Sequence, residues 1–176
     1  VVENVSVMFP VFLGGSVIQD RSFYKDNAQR LAIRGKVLLS EKKEDLAVIK
    51  LDSLPDDARA LKLASNPPEP GRRVHSVGNP GASAGLWVYT SGTVRSVARM
   101  KMNSDYGSHE FTAVETQAPI NPGDSGGPVV NDAGQVVGIA QSVNLKGTLM
   151  SHCVAVAELQ SVLSSYRNVE APLFAL

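Results

Sequence analysis

Apolar and polar residues alternate along this chain in short runs, and almost every run ends at Gly, Pro, Asn or Asp. Hairpin-connected strands read this way. The pattern predicts strands at residues 5–11, 29–38, 46–51, 73–77, 86–97, 110–116, 129–130, 136–142 and 150–156. Turn signals separate them: Leu13-Gly14-Gly15, Asn79-Pro80-Gly81, Asn121-Pro122-Gly123 and Asn131-Asp132-Ala133-Gly134. One segment has a clear helical period, residues 157–166, where Leu159, Val162 and Leu163 share a face. The expected class is all-β, closed by a short C-terminal helix.

A seam interrupts the strand pattern at Leu63-Ala64-Ser65-Asn66-Pro67-Pro68-Glu69-Pro70-Gly71. With three prolines and a glycine it cannot be a central strand or a helix, so it reads as an extended linker. The expected organisation is a first β-block over residues 1–64, a linker over 65–71, a second β-block over 72–156 and the helix over 157–167, with a short tail after it.

Composition narrows the partners. Hydrophobic residues make up 43% and charged residues 19%, as in a globular protein rather than a disordered one. The 17 Lys+Arg balance the 17 Asp+Glu, which argues against nucleic acid or an anionic membrane surface as partner. No stretch approaches the ~20 apolar residues of a transmembrane helix, so no membrane insertion is expected. The opening VVENVSVMFP lacks the basic region of a signal peptide. Cys153 is the one cysteine, so no internal disulfide forms, and its neighbours in SHCVAVA predict a buried strand thiol. Metal ligands at recognisable spacing and nucleotide loops are both lacking, so neither metal nor cofactor is expected.

The strongest chemical signal is Asn121-Pro122-Gly123-Asp124-Ser125-Gly126-Gly127-Pro128, between two predicted strands. A serine hydroxyl is a weak nucleophile; it needs a base beside it and donors aimed at the oxygen that becomes negative. Glycines on both sides allow a sharp turn and let the N–H groups of Gly123 and Ser125 form an oxyanion hole from main chain. A glycine-rich turn with a chance serine is the bland alternative, and GDSGGP entering a strand is too specific for it. An esterase carrying GxSxG on an α/β sheet would need alternating strands and helices, which the pattern lacks.

GDSGGP resembles the nucleophile motif of trypsin-like serine proteases, and its surroundings resemble the bacterial HtrA (DegP) branch. Val77-Gly78-Asn79-Pro80-Gly81 followed by Tyr89-Thr90-Ser91-Gly92-Thr93-Val94 resembles that branch, as do Glu115-Thr116-Gln117-Ala118-Pro119-Ile120-Asn121 and Val136-Val137-Gly138-Ile139. The match runs from about Asp45 to Tyr166, while residues 11–39 match poorly and carry extra residues. The resemblance implies two antiparallel Greek-key β-barrels, the first incomplete here, with the site between them. It implies a serine endopeptidase working through an acyl-enzyme, with Ser125 as nucleophile and Asp45 as the buried carboxylate that orients the base. Pro119, Ile120 and Asn121, with Ile139, Ala140, Gln141 and Ser142, would line the pocket for the residue before the cleaved bond. Substrates would be peptides or unfolded proteins. The resemblance leaves room for a homo-oligomer and favours the bacterial cell envelope or periplasm.

Two features depart from that pattern. The family's base is a histidine preceding the aspartate, yet the three histidines here, His75, His109 and His152, all follow Asp45. Each reads as an ordinary core or surface histidine, with His152 bordering the pocket. Because the chain opens Val1-Val2-Glu3-Asn4, it reads as starting one residue after that histidine. As it stands, the chain is expected to be inactive; the alternative is a non-catalytic relative that binds peptides or partners. The second departure is Asp124, where the HtrA branch has Asn. Its charge would be balanced by solvent or by loop amides.

Overall fold

The computed structural model describes residues 3–104, 107–144 and 150–166, with the backbone alone at 104 and 142–144. Two β-systems follow one another. The first is an antiparallel sheet of β1 (Asn4–Val7), β4 (Ile33–Glu41) and β5 (Leu46–Leu51), in the order β1-β4-β5. It is open, as an incomplete first barrel would be. The second is a closed barrel of β6 (Arg73–Gly78), β7 (Val88–Ser104), β8 (Gly107–Thr116), β9 (Pro128–Val130), β10 (Val136–Asn144) and β11 (Met150–Ala155), in the order β10-β11-β8-β7-β6-β9. Helix α3 (Val156–Tyr166) follows β11 directly and buries Val156, Leu159 and Val162.

The apolar run of β10 needs both faces covered. Val137 and Ala140 join Val74, Val94, Val114, Val129 and Cys153 in one cluster, whereas Val136 and Ile139 pack with Phe111, Val154 and Leu159 in another. Eight of the largest fully buried side chains belong to these two clusters, Phe111 the largest of them. At ~25 cal/mol per Å² of apolar surface removed from water, the barrel is the main source of stability. The Pro-rich seam runs along it: Ala64 N–H donates to Val136 O at 2.9 Å, and Gly71 N–H to Val94 O at 2.8 Å.

Between β1 and β4 the structure differs from the pattern reading. Hairpin β2 (Phe12–Leu13) and β3 (Ser16–Val17) leads into α1 (Arg21–Asp26) and α2 (Ala28–Leu31), so the strand predicted from residue 29 begins at Ile33. Six and four residues are too few to display a helical period. Helix α1 is instead set by Asp20, whose side chain caps Ser22 N–H at 2.9 Å, and by the buried Tyr24, whose hydroxyl bridges Val11 N–H and Ile18 O. No helix among the described residues is long and apolar enough to cross a membrane.

Candidate active site

Ser125 is exposed on the loop between β8 and β9. That loop is pinned to β10 from both sides: Gly126 N–H donates to Ala140 O at 2.8 Å, and Ala140 N–H to Gly127 O at 2.9 Å. Gly123 has φ 105°, a region that L side chains avoid, and an added methyl would lie 2.5 Å from Asn79 O. The N–H groups of Gly123 and Ser125 donate to no acceptor among the described residues.

Asp124 turns inward. It is buried; Oδ2 accepts Asn121 N–H at 2.8 Å, and Oδ1 packs against Gly78 with no hydrogen-bond partner. Of the two expected ways of balancing it, the loop amide is the one seen, and the residue is buried.

Asp45 ends the turn between β4 and β5 with φ 56°, which Asp tolerates better than most residues. The turn is tied to β8 through Glu110 N–H to Lys43 O at 2.8 Å and His109 Nδ1 to Lys42 O at 2.8 Å. This brings Asp45 from the first sheet to the mouth of the barrel. Its carboxylate is exposed rather than buried as expected.

Gln141 joins the two residues. Between Ala140 and Ser142 the register of β10 against β11 shifts, leaving Gln141 as the extra residue of a bulge. A bulge re-aims a side chain out of the strand's alternation. Here Gln141 Nε2 donates to Asp45 Oδ2 at 3.0 Å, while its main-chain carbonyl accepts the Ser125 hydroxyl at 2.7 Å. Its Oε1 is buried without a partner. Sequence reasoning placed Gln141 beside the substrate and missed this bridge, because a bulge leaves no residue-type signal.

The histidines are engaged elsewhere. His75 Nδ1 meets Tyr89 OH at 2.6 Å and Nε2 meets Asp132 at 2.9 Å. His109 lines a hollow of about 260 Å³ that Asp45 also borders, with its ring held by Lys42. His152 lies 3.7 Å from Glu115, whose other oxygen accepts the Ser96 hydroxyl. Of the expected pocket residues, Pro119 and Asn121 are exposed, Ile120 and Ala140 sit in the barrel core, and Ile139 packs beneath α3. The side chain of Ser142 lies outside the described residues, as does the predicted tail. Cys153 is wholly buried, and burial pushes its thiol up to about 12. No group of three potential metal-ligating side chains occurs among the described residues.

The chain resembles known proteins in sequence and in fold. The chain is 36% identical over 107 residues to the serine protease Do-like HtrA of Lactobacillus helveticus, covering 61% of this chain and 25% of that protein. It is 33% identical over 117 residues to a probable periplasmic serine endoprotease, DegP-like, of Pseudomonas fluorescens, covering 66% and 23%. It thus spans about a quarter of the curated relatives' length. The fold matches the Rv3671c protease of M. tuberculosis in its active form with a TM-score of 0.69, at 20% identity, over 94% of this chain and 65% of that one. Residues 6–139 match the trypsin-like peptidase domain, and the chain belongs to that family, with HtrA- and DegP-type serine proteases among its relatives.

Proposed function

We propose that this chain carries two members of a serine endopeptidase triad, Ser125 as nucleophile and Asp45 as orienting acid, with the base not among its own three histidines. The supporting observation is that the exposed Ser125 hydroxyl and the Asp45 carboxylate, 80 positions apart in sequence, both hydrogen-bond to Gln141. In the acylation step Ser125 Oγ bonds to the substrate carbonyl carbon as its proton passes to the base. The carbonyl oxygen becomes negative opposite the N–H groups of Gly123 and Ser125. The C–N bond then breaks, the amine leaves with the proton from the base, and water hydrolyses the ester by the reverse sequence. Of the residues expected to line the pocket, the exposed Pro119 and Asn121 and the half-buried Gln141 are those a substrate can reach, and none is acidic. Peptides or unfolded proteins are the substrates; an extracytoplasmic location accords with the periplasmic relative.

A chain extended upstream to include a histidine before Val1 tests the roles. Ser125→Ala should abolish peptide hydrolysis. Asp45→Asn should keep the fold but lower kcat by about 10⁴, because the base is then held in the wrong tautomer. Near-full turnover of Asp45→Asn would remove Asp45 from the mechanism. One observation favours a second reading, a non-catalytic peptide-binding relative: the Ser125 proton is donated to a main-chain carbonyl, not to a base.

A further inference from the structure

The segment between β1 and β4, where the family pattern fits least, docks against the loop that supports the nucleophile. We propose that Arg21, at the start of α1, is a positioning residue for the oxyanion hole, acting through residues 79–87. The proposal rests on the reading of Gly123 and Ser125 given above.

Two successive contacts carry it. Arg21 Nη2 donates to Pro80 O at 2.6 Å and Nε to Ser83 O at 3.2 Å. A planar guanidinium presents its donors in a fixed fork, so it sets the spacing and direction of both carbonyls. Gly81, which directly follows the first of them, donates its N–H to Pro122 O at 2.8 Å. Pro122 O and the Gly123 N–H belong to one peptide unit. Because that unit is planar and trans, the carbonyl and the N–H point in opposite directions. Holding Pro122 O therefore sets where the Gly123 N–H points. The far end of the loop is fixed separately, by Leu86 N–H to Gln19 O at 2.9 Å and by the Tyr24 ring edge-on to Trp87 at 5.8 Å. Arg21 holds the near end, which touches the nucleophile loop.

Amide exchange and ¹⁵N NMR on the 176-residue chain test this without turnover. In Arg21→Ala, Gly81 should exchange about tenfold faster or more, the factor one lost charge-assisted hydrogen bond carries. The Gly123 and Ser125 amide resonances should shift, while Val114 and Val154 in the barrel keep their protection. Arg21→Lys, which can reach one carbonyl at most, should fall between, and it serves alone if Arg21→Ala does not fold. Tyr24→Phe removes the hydroxyl bridge within the segment without touching the clamp, and should leave Gly81 unchanged. Unchanged Gly81 exchange in the Arg21 variants would overturn the proposal, as would an equal effect from Tyr24→Phe. Whether Ser125 is a nucleophile is decided separately, by covalent labelling of the extended wild-type protein.

Discussion

Replacing Gly123 by Ala should cost more stability than replacing Gly126, although both glycines have positive φ. At φ 105° and 89°, each substitution forces a side chain into a region that L residues avoid, a strain of about 1–3 kcal/mol. At Gly126 nothing lies within 4 Å of an added Cβ, so strain is the whole cost. At Gly123 the same carbon would lie 2.5 Å from Asn79 O and 2.9 Å from Gly81 N. Both are main-chain atoms, so no side-chain rotation relieves the overlap, and overpacking adds about 1–3 kcal/mol. The expected totals are about 1–3 kcal/mol for Gly126→Ala and about 2–6 kcal/mol for Gly123→Ala. At roughly 2–4 °C per kcal/mol for a chain of this size, the two melting temperatures should differ by several degrees. Urea and thermal unfolding followed by circular dichroism measure this. In an active, extended protein, relief by rotating the Pro122–Gly123 peptide would also turn a donor away and lower kcat about 10²–10³-fold. A Gly126→Ala protein as unstable as Gly123→Ala, or more so, would refute the collision argument.

Burial pushes the Cys153 thiol up to about 12, so iodoacetamide should label it only as the protein unfolds; rapid alkylation in native buffer would contradict its place in the core. The hydrogen bond from His75 holds the Asp132 carboxyl below its ordinary 3.8, helped by Arg73 and Arg72. A depressed carboxylate stabilises the fold above its unfolded pKa and loses that contribution as pH falls through the folded value. His75→Ala should therefore flatten the stability decline below about pH 4, and identical acid unfolding curves would count against the pair. The extended protease should cleave after small aliphatic residues such as Val or Ala, since burying a substrate cation without an acidic partner is costly; efficient cleavage after Arg would show a pocket different from the one described.

Strands of both β-systems were largely legible because their signals are local and repeated. Residues 46–51 and 150–155 alternate or run apolar between clear turn residues, and both strands formed with nearly the expected bounds. Strand β7 runs on to Ser104, past the expected end at 97, because Arg99 and Lys101 on its exposed side weaken the apolar signal. Helices α1 and α2 were not legible, since one turn or two shows no period, and the position of α1 comes from Tyr24 and Arg21 meeting residues some 60 positions away. Ser125 was readable from its motif and Asp45 from resemblance to the family. The contact that joins them was not, because the bulge at Gln141 arises from strand register. The inward turn of Asp124 against Gly78 is likewise a matter of packing that no residue type announces.

We propose that Ser125 is a nucleophile whose base is none of the three histidines of this sequence. A fluorophosphonate probe bonds to an activated serine and tests it most directly, applied to the 176-residue chain and to one extended upstream through a histidine before Val1. Without a base the Ser125 hydroxyl stays protonated, and residual rates of roughly 10³–10⁴-fold over water are too slow to detect. Labelling is expected at Ser125 in the extended protein, lost in its Ser125→Ala variant, and none in the shorter chain. Labelling of the shorter chain would show that one of its own residues acts as base, and no labelling of the extended, folded protein would make this a binding domain instead.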